Sequence, residues 1–131
     1  MIKARMAKEA IVRISNRIGV LAQVTKNLAD MGLNIEAVIA TVEGTDAVIR
    51  MVTGDHQRTV DALRDQKLAV QEARVVAAEV EHRPGLLREI AEKLARQNID
   101  LSYLYATAAG EKCLVVFSST NNDWAVKVLN E

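Results

Sequence analysis

Aromatic side chains are almost missing from this chain: one Phe, one Trp and two Tyr, 3% of 131 residues. RNA recognition on a sheet surface needs aromatic faces on which bases stack, so that function falls away. Charge of one sign is also lacking. Lys plus Arg equals Asp plus Glu at 17 each, and without a net field neither nucleic acid nor an acidic membrane is gathered as a partner. The single cysteine, Cys113, rules out a disulfide framework. Its place in the apolar run Cys113, Leu114, Val115, Val116, Phe117 predicts a reduced, buried core thiol rather than a nucleophile. No long apolar run exists near the start, where Lys3, Arg5, Lys8 and Glu9 stand. Neither a signal peptide nor a membrane helix is expected, and the chain reads as cytoplasmic. A paired nucleophile and base, a Cys and His cluster and a phosphate loop are all missing. No catalysis, cofactor or metal is therefore expected. His82 and His56 do not stand at a recognisable ligand spacing.

What the chain does have is a repeat. Asn16, Arg17, Ile18, Gly19, Val20 and Leu21 follow a strand-like run (Ile11, Val12, Arg13, Ile14) and open a run of helical spacing. His82, Arg83, Pro84, Gly85, Leu86 and Leu87 do the same 66 positions later. At that offset Arg17 meets Arg83, Gly19 meets Gly85, Leu28 meets Leu94, Thr41 meets Thr107, Gly44 meets Gly110 and Leu63 meets Leu129. Matches that run through turns, helices and strands alike mark a tandem duplication.

Each copy reads in the same order. An extended run ending near residue 15 leads to a helix over 18–31 whose buried stripe is predicted as Leu21, Val24, Leu28 and Met31. Gly32 stops that helix with a left-handed cap. A hairpin turning at Gly44 follows, then a helix capped by Asp55 and carrying Val60 and Leu63, then an extended run from Leu68 to Val80. The second copy has a helix over 84–97 with Pro84 at its first positions, a hairpin through Gly110, and a last helix over 121–131. It lacks a final strand. Residues 2–7, equivalent by the offset to part of that missing strand's counterpart, are expected to supply it and so cover an open sheet edge. The domains are accordingly drawn at 1–72 and 73–131. Tyr103, Leu104 and Tyr105 are read as placing tyrosines on both sides of one strand, and Trp124 as a packing anchor.

These turns, followed by Gly32, Leu33, Asn34, Ile35 in one copy and Asn98, Ile99, Asp100, Leu101 in the other, resemble the ACT domain, a small regulatory module of amino-acid metabolism. The resemblance implies an α+β fold: two ferredoxin-like βαββαβ units, each an antiparallel sheet against two helices, paired side by side. It implies no chemistry of its own, and an amino acid bound at the junction of two units. Carried over by position, the ligand-binding candidates are Asn16, Ile18, Gly19, Val20, Leu21, Asn34 and Ile35 in the first copy and His82, Gly85, Leu86 and Asp100 in the second. The second copy departs from the family at His82 and Asp100. Pairing across a twofold would join Asn16 with Asp100 and His82 with Asn34, leaving the site nearer Asn34 as the better one, because a carboxylate at Asp100 repels an α-carboxylate.

The function expected from this resemblance is a stand-alone regulatory module that binds an amino acid. The alternative is an interaction module that keeps the fold and has lost the ligand. A regulated enzyme is the implied protein partner. With 50% of residues hydrophobic, a homodimer is expected as well.

Overall fold

The computed structural model describes all residues from Met1 to Glu131. In chain order the elements are β1 (Lys3–Ser15), α1 (Val20–Asp30), β2 (Ile35–Glu43), β3 (Asp46–Thr53), α2 (His56–Asp65), β4 (Val70–Glu81), α3 (Leu86–Arg96), β5 (Leu101–Ala109), β6 (Lys112–Ser119) and α4 (Asn122–Asn130). The chain divides into two compact units. The first is Lys8–Ala73; the second is Met1–Ala7 together with Arg74–Glu131. The long strands β1 and β4 therefore each contribute residues to both units.

In the first unit the strands lie in the order β2-β3-β1-β4. The pairs β1·β3 and β2·β3 are antiparallel. Alternation along β1 turns Ala10 and Val12 to one face, where they meet Ile49 and Met51 of β3, Val24 and Leu28 of α1, and Val60 and Leu63 of α2 in one core. In the second unit the order is β1-β4-β6-β5, with β4·β6 and β5·β6 antiparallel. Its core gathers Val76, Ala78 and Val80 of β4, Leu86, Ile90 and Leu94 of α3, Val115 and Phe117 of β6, and Leu129 of α4, with Ile2 beside them. Each unit is thus the expected α+β sandwich: an antiparallel sheet with two helices on one face.

Both hairpins turn at the expected glycines, which hold left-handed backbone at φ 64° in Gly44 and 61° in Gly110. The Asp55 carboxylate accepts from the Arg58 N–H at 3.2 Å and caps α2. Asn121, 66 residues on, does the same for the Trp124 N–H at 3.1 Å and caps α4.

Several expectations are corrected. Helix α1 starts at Val20, not 18, and α3 at Leu86, not 84. The stripe of α1 that faces the core is Val20, Val24 and Leu28, while Leu21 and Met31 are 44% and 40% exposed. The reason is the preceding turn, which sets the phase of the helix. Pro84 stands in the turn before α3 and not in the helix. Tyr103 and Tyr105 share one face of β5, opposite Ser118 and Val116, because residues two apart on a strand point the same way. Leu104 between them takes the core side. Cys113 is a free thiol, only half-buried at the edge of the second core. Trp124 packs only in part, 40% exposed, with its Nε1–H donating to Gln97 Oε1 at 3.2 Å.

Candidate functional site

The geometry of the two turns repeats bond for bond. The Val20 N–H donates to the Arg17 C=O at 3.2 Å, and Gly19 between them sits at φ 87°, ψ 4°. The Leu86 N–H donates to the Arg83 C=O at 3.3 Å around Gly85 at φ 84°, ψ −3°. A three-residue bond around a third residue with those angles is a type II turn, which needs glycine at that position and favours proline before it. Pro84 therefore suits its corner, and Ile18 fills the same corner in the first copy, fully exposed. A Cβ built on either glycine would meet nothing within 4 Å. The glycines are there for backbone angle, not for close approach of a neighbour.

Further bonds moor each turn. The Asn16 N–H donates to Thr45 C=O at 2.9 Å, and the His82 N–H to Glu111 C=O at 2.8 Å. Arg17 reaches Gln23 on α1. Arg83 reaches Glu89 on α3 at 2.5 Å. The strand that follows the helix is moored equivalently, with the Asn34 C=O accepting from Gly54 at 3.0 Å and the Asp100 C=O from Thr120 at 2.9 Å. The Asp100 N–H also donates to Thr120 Oγ1 at 3.1 Å. Beyond these residues the register slips between Ile35 and Ala37 in β2 and between Leu101 and Tyr103 in β5. Such irregularities re-aim side chains, and nothing in the hydrophobic pattern signalled them.

Of the candidates in the first unit, Asn16, Ile18, Gly19, Leu21 and Asn34 are exposed, Ile35 is half-buried, and Val20 is buried in the core side of α1. In the second unit His82, Gly85 and Asp100 are exposed and Leu86 is buried. The structure brings His82, Gly85 and Leu86 together around one cavity of about 380 Å³, which also touches Arg83, Leu87, Arg88, Ile90, Ala106, Cys113 and Val115. Asp100 is not among its walls. The cavity lies between the start of α3 and the helix-facing side of β5 and β6, and its size falls within the range of small-molecule sites. Sequence reasoning missed Arg88, Ala106, Cys113 and Val115. Strand alternation could have found the last two, since Cys113 and Val115 fall on the same face of β6 as Phe117, toward the helices.

A larger depression of about 480 Å³ shares Arg83 and Leu86 but spreads over Met1, Lys3, Glu89, Lys93 and Glu131. Its walls mix charges of both signs and include neither His82 nor Gly85. No group of three His, Cys, Asp or Glu could hold a metal ion. No helix is long and apolar enough to cross a membrane.

Comparison with known proteins agrees with this geometry. A protein from Bacteroides thetaiotaomicron, BT0572, superimposes with a TM-score of 0.90 at 26% identity, over 98% of this chain and 89% of that one. The regulatory subunit of aspartate kinase from Thermus thermophilus, in its ligand-free form, gives a TM-score of 0.71 at 12% identity, over 98% and 94% of the two chains. A structure of aspartokinase alpha and beta subunits gives 0.68 at 19% identity, again over 98% and 94%. At such identities the last two show the fold alone. No curated protein matches. The sequence profile of the family described as ACT domain pair matches residues 6–131. A profile match over nearly the whole chain and two turns built alike to within a few degrees lead to one conclusion: this chain belongs to the ACT domain pair family.

Proposed function

We propose that this ACT pair is a non-catalytic regulatory module that binds an amino acid. The cavity under the turn of the second unit carries the reading. Its apolar floor and polar mouth fit a ligand with one greasy end and one charged end. The start of α3 beside it presents backbone N–H groups that lack partners within the helix, and these favour a carboxylate. His82, Gly85 and Leu86 are the binding residues in this unit. Asn16, Ile18, Gly19, Val20, Leu21, Asn34, Ile35 and Asp100 remain proposed contacts, for a second site or for one completed by another subunit. A regulatory role is supported by the fold shared with the regulatory subunit of aspartate kinase from Thermus thermophilus. On this reading the protein acts on an enzyme partner as a homodimer. Its one free thiol, Cys113, suits a reducing compartment such as the cytoplasm.

The test is a thermal-shift panel of the twenty amino acids on the purified chain. A ligand present at 100 times its dissociation constant adds about 2.7 kcal/mol of stability, enough to raise the midpoint by several degrees. At least one amino acid should produce that rise. Silence across the panel at millimolar concentrations would favour the second reading, an interaction module without a ligand, to which the departures at His82 and Asp100 already lean.

A further inference from the structure

The walls of the cavity at the start of α3 differ sharply from floor to mouth. Leu86, Ile90 and Val115, which line it, are 6%, 0% and 2% exposed and form an apolar floor. His82, Arg83 and Arg88 are exposed and stand at the mouth. No carboxylate lines the cavity. Glu89 and Glu92 lie nearby but are engaged, Glu89 by Arg83 at 2.5 Å and Glu92 by the Arg88 Nε–H at 2.7 Å. A guanidinium has five N–H donors, so each arginine keeps donors beyond these bonds. The positive end of the α3 dipole adds to the same field.

We infer that this cavity selects amino acids with branched aliphatic side chains, and that the chain holds one such site and not two. The inference rests on the regulatory reading above and names the ligand class of that site. The ligand carboxylate meets the helix start and Arg88, and its side chain displaces water from the floor. A lysine or arginine ligand would bring a second cation against Arg83 and Arg88. An aspartate or glutamate would have to strip water from its second carboxylate to enter the apolar floor. Alanine and glycine would leave the floor unfilled.

Subtracting the 66-residue offset shows why the first copy does not repeat the site. Arg88 corresponds to Ala22 and His82 to Asn16, so of the two arginines at the mouth only the counterpart of Arg83, Arg17, remains. The pair of arginines at the helix start is confined to the second copy.

Isothermal titration calorimetry of the full chain with L-leucine, L-isoleucine, L-valine, L-alanine, L-aspartate and L-lysine tests this. The expected result is one site per chain, with at least one branched ligand binding tenfold or more tighter than alanine, aspartate or lysine. Ala106→Leu, which fills the cavity from an exposed strand position, should abolish that binding. Arg88→Ala, which restores the residue of the first copy, should weaken it tenfold or more. Melting of each unliganded variant checks that it folds, and Arg88→Ala carries the test if Ala106→Leu does not. Tightest binding by aspartate or lysine would overturn the inference and leave the regulatory reading standing. So would two equal sites per chain, or leucine binding that survives both substitutions. Failure of all six to bind would overturn the inference, and only silence across the panel of twenty would overturn the regulatory reading with it.

Discussion

At the scale of single residues, two backbone angles and one ion pair carry testable weight. Gly85 holds φ 84° with open space where a side chain would go, so Gly85→Ala introduces strain without a clash. Left-handed backbone costs a residue with a Cβ about 1–2 kcal/mol. Denaturant unfolding of Gly85→Ala should show a loss of that size, and Gly19→Ala a similar one, since the two turns share their geometry. A loss much above it would mean that something approaches the glycine after all. The ion pair joins α2 to β4 in the first unit: His56 Nε2 lies 2.8 Å from one Glu72 oxygen and Arg64 Nη2 lies 3.7 Å from the other. The hydrogen bond from His56 holds the Glu72 carboxyl below its ordinary range, with the charges of His56, Arg64 and Lys8 acting the same way. A carboxylate whose affinity for protons falls on folding stabilises the fold above its unfolded titration range and loses that contribution as pH drops through its folded value. Glu72→Gln should therefore be less stable than the parent chain at pH 6, and the gap should narrow as pH falls below the ordinary carboxylate range. A gap that does not change with pH would assign the effect to packing.

At the scale of elements, β1 does unequal work along its length. Residues from Lys8 onward belong to the first unit, while Met1–Ala7 belong to the second. In the second unit Ile2 is buried in the core. The Ala4 backbone is gripped on both sides by the Asn130 amide, whose Oδ1 accepts from the Ala4 N–H at 2.8 Å and whose Nδ2 donates to its C=O at 2.9 Å. Burying an isoleucine side chain is worth about 1.5–3 kcal/mol. A chain beginning at Lys8 should lose at least that, and exchange of amide hydrogens in β4 and α4 should accelerate. Unchanged protection there would show that the segment is dispensable. Helix α1 teaches a related lesson. Leu21 and Met31 fit a helical stripe as well as Val20 does, and only the type II turn before α1 decides which of them turns inward.

At the scale of the whole molecule, the exposed apolar residues deserve weight. Ile18, Leu21, Met31, Val38 and Val42 of the first unit are all exposed, and Leu87 joins them in the second. Scattered apolar side chains on a surface are ordinary. Here, however, Val38 and Val42 share one face of β2, whose outer edge carries no strand partner in the first unit. Unpaired edges of that kind are pairing sites. Light scattering should accordingly return twice the 14.4 kDa of one chain, and Val42→Lys should shift the population toward the monomer. A monodisperse monomer at working concentration would remove the dimer.

The sequence by itself determined the repeat, the order of elements, the α+β class and the two glycine turns. Those features are local: periodicity, caps and turn angles act within a few residues, and a duplication prints each of them twice. It also pointed to His82, Gly85 and Leu86, because a turn ahead of a helix is written in consecutive positions. Tertiary structure alone decided the rest. Arg88, Ala106, Cys113 and Val115 come from three elements and meet only when α3 lies across β5 and β6. The slipped register at Ile35 and Leu101 arises from strand pairing, not from either strand's own pattern. A cavity is the space that distant segments leave between them, and no stretch of sequence encodes that space by its own spacing.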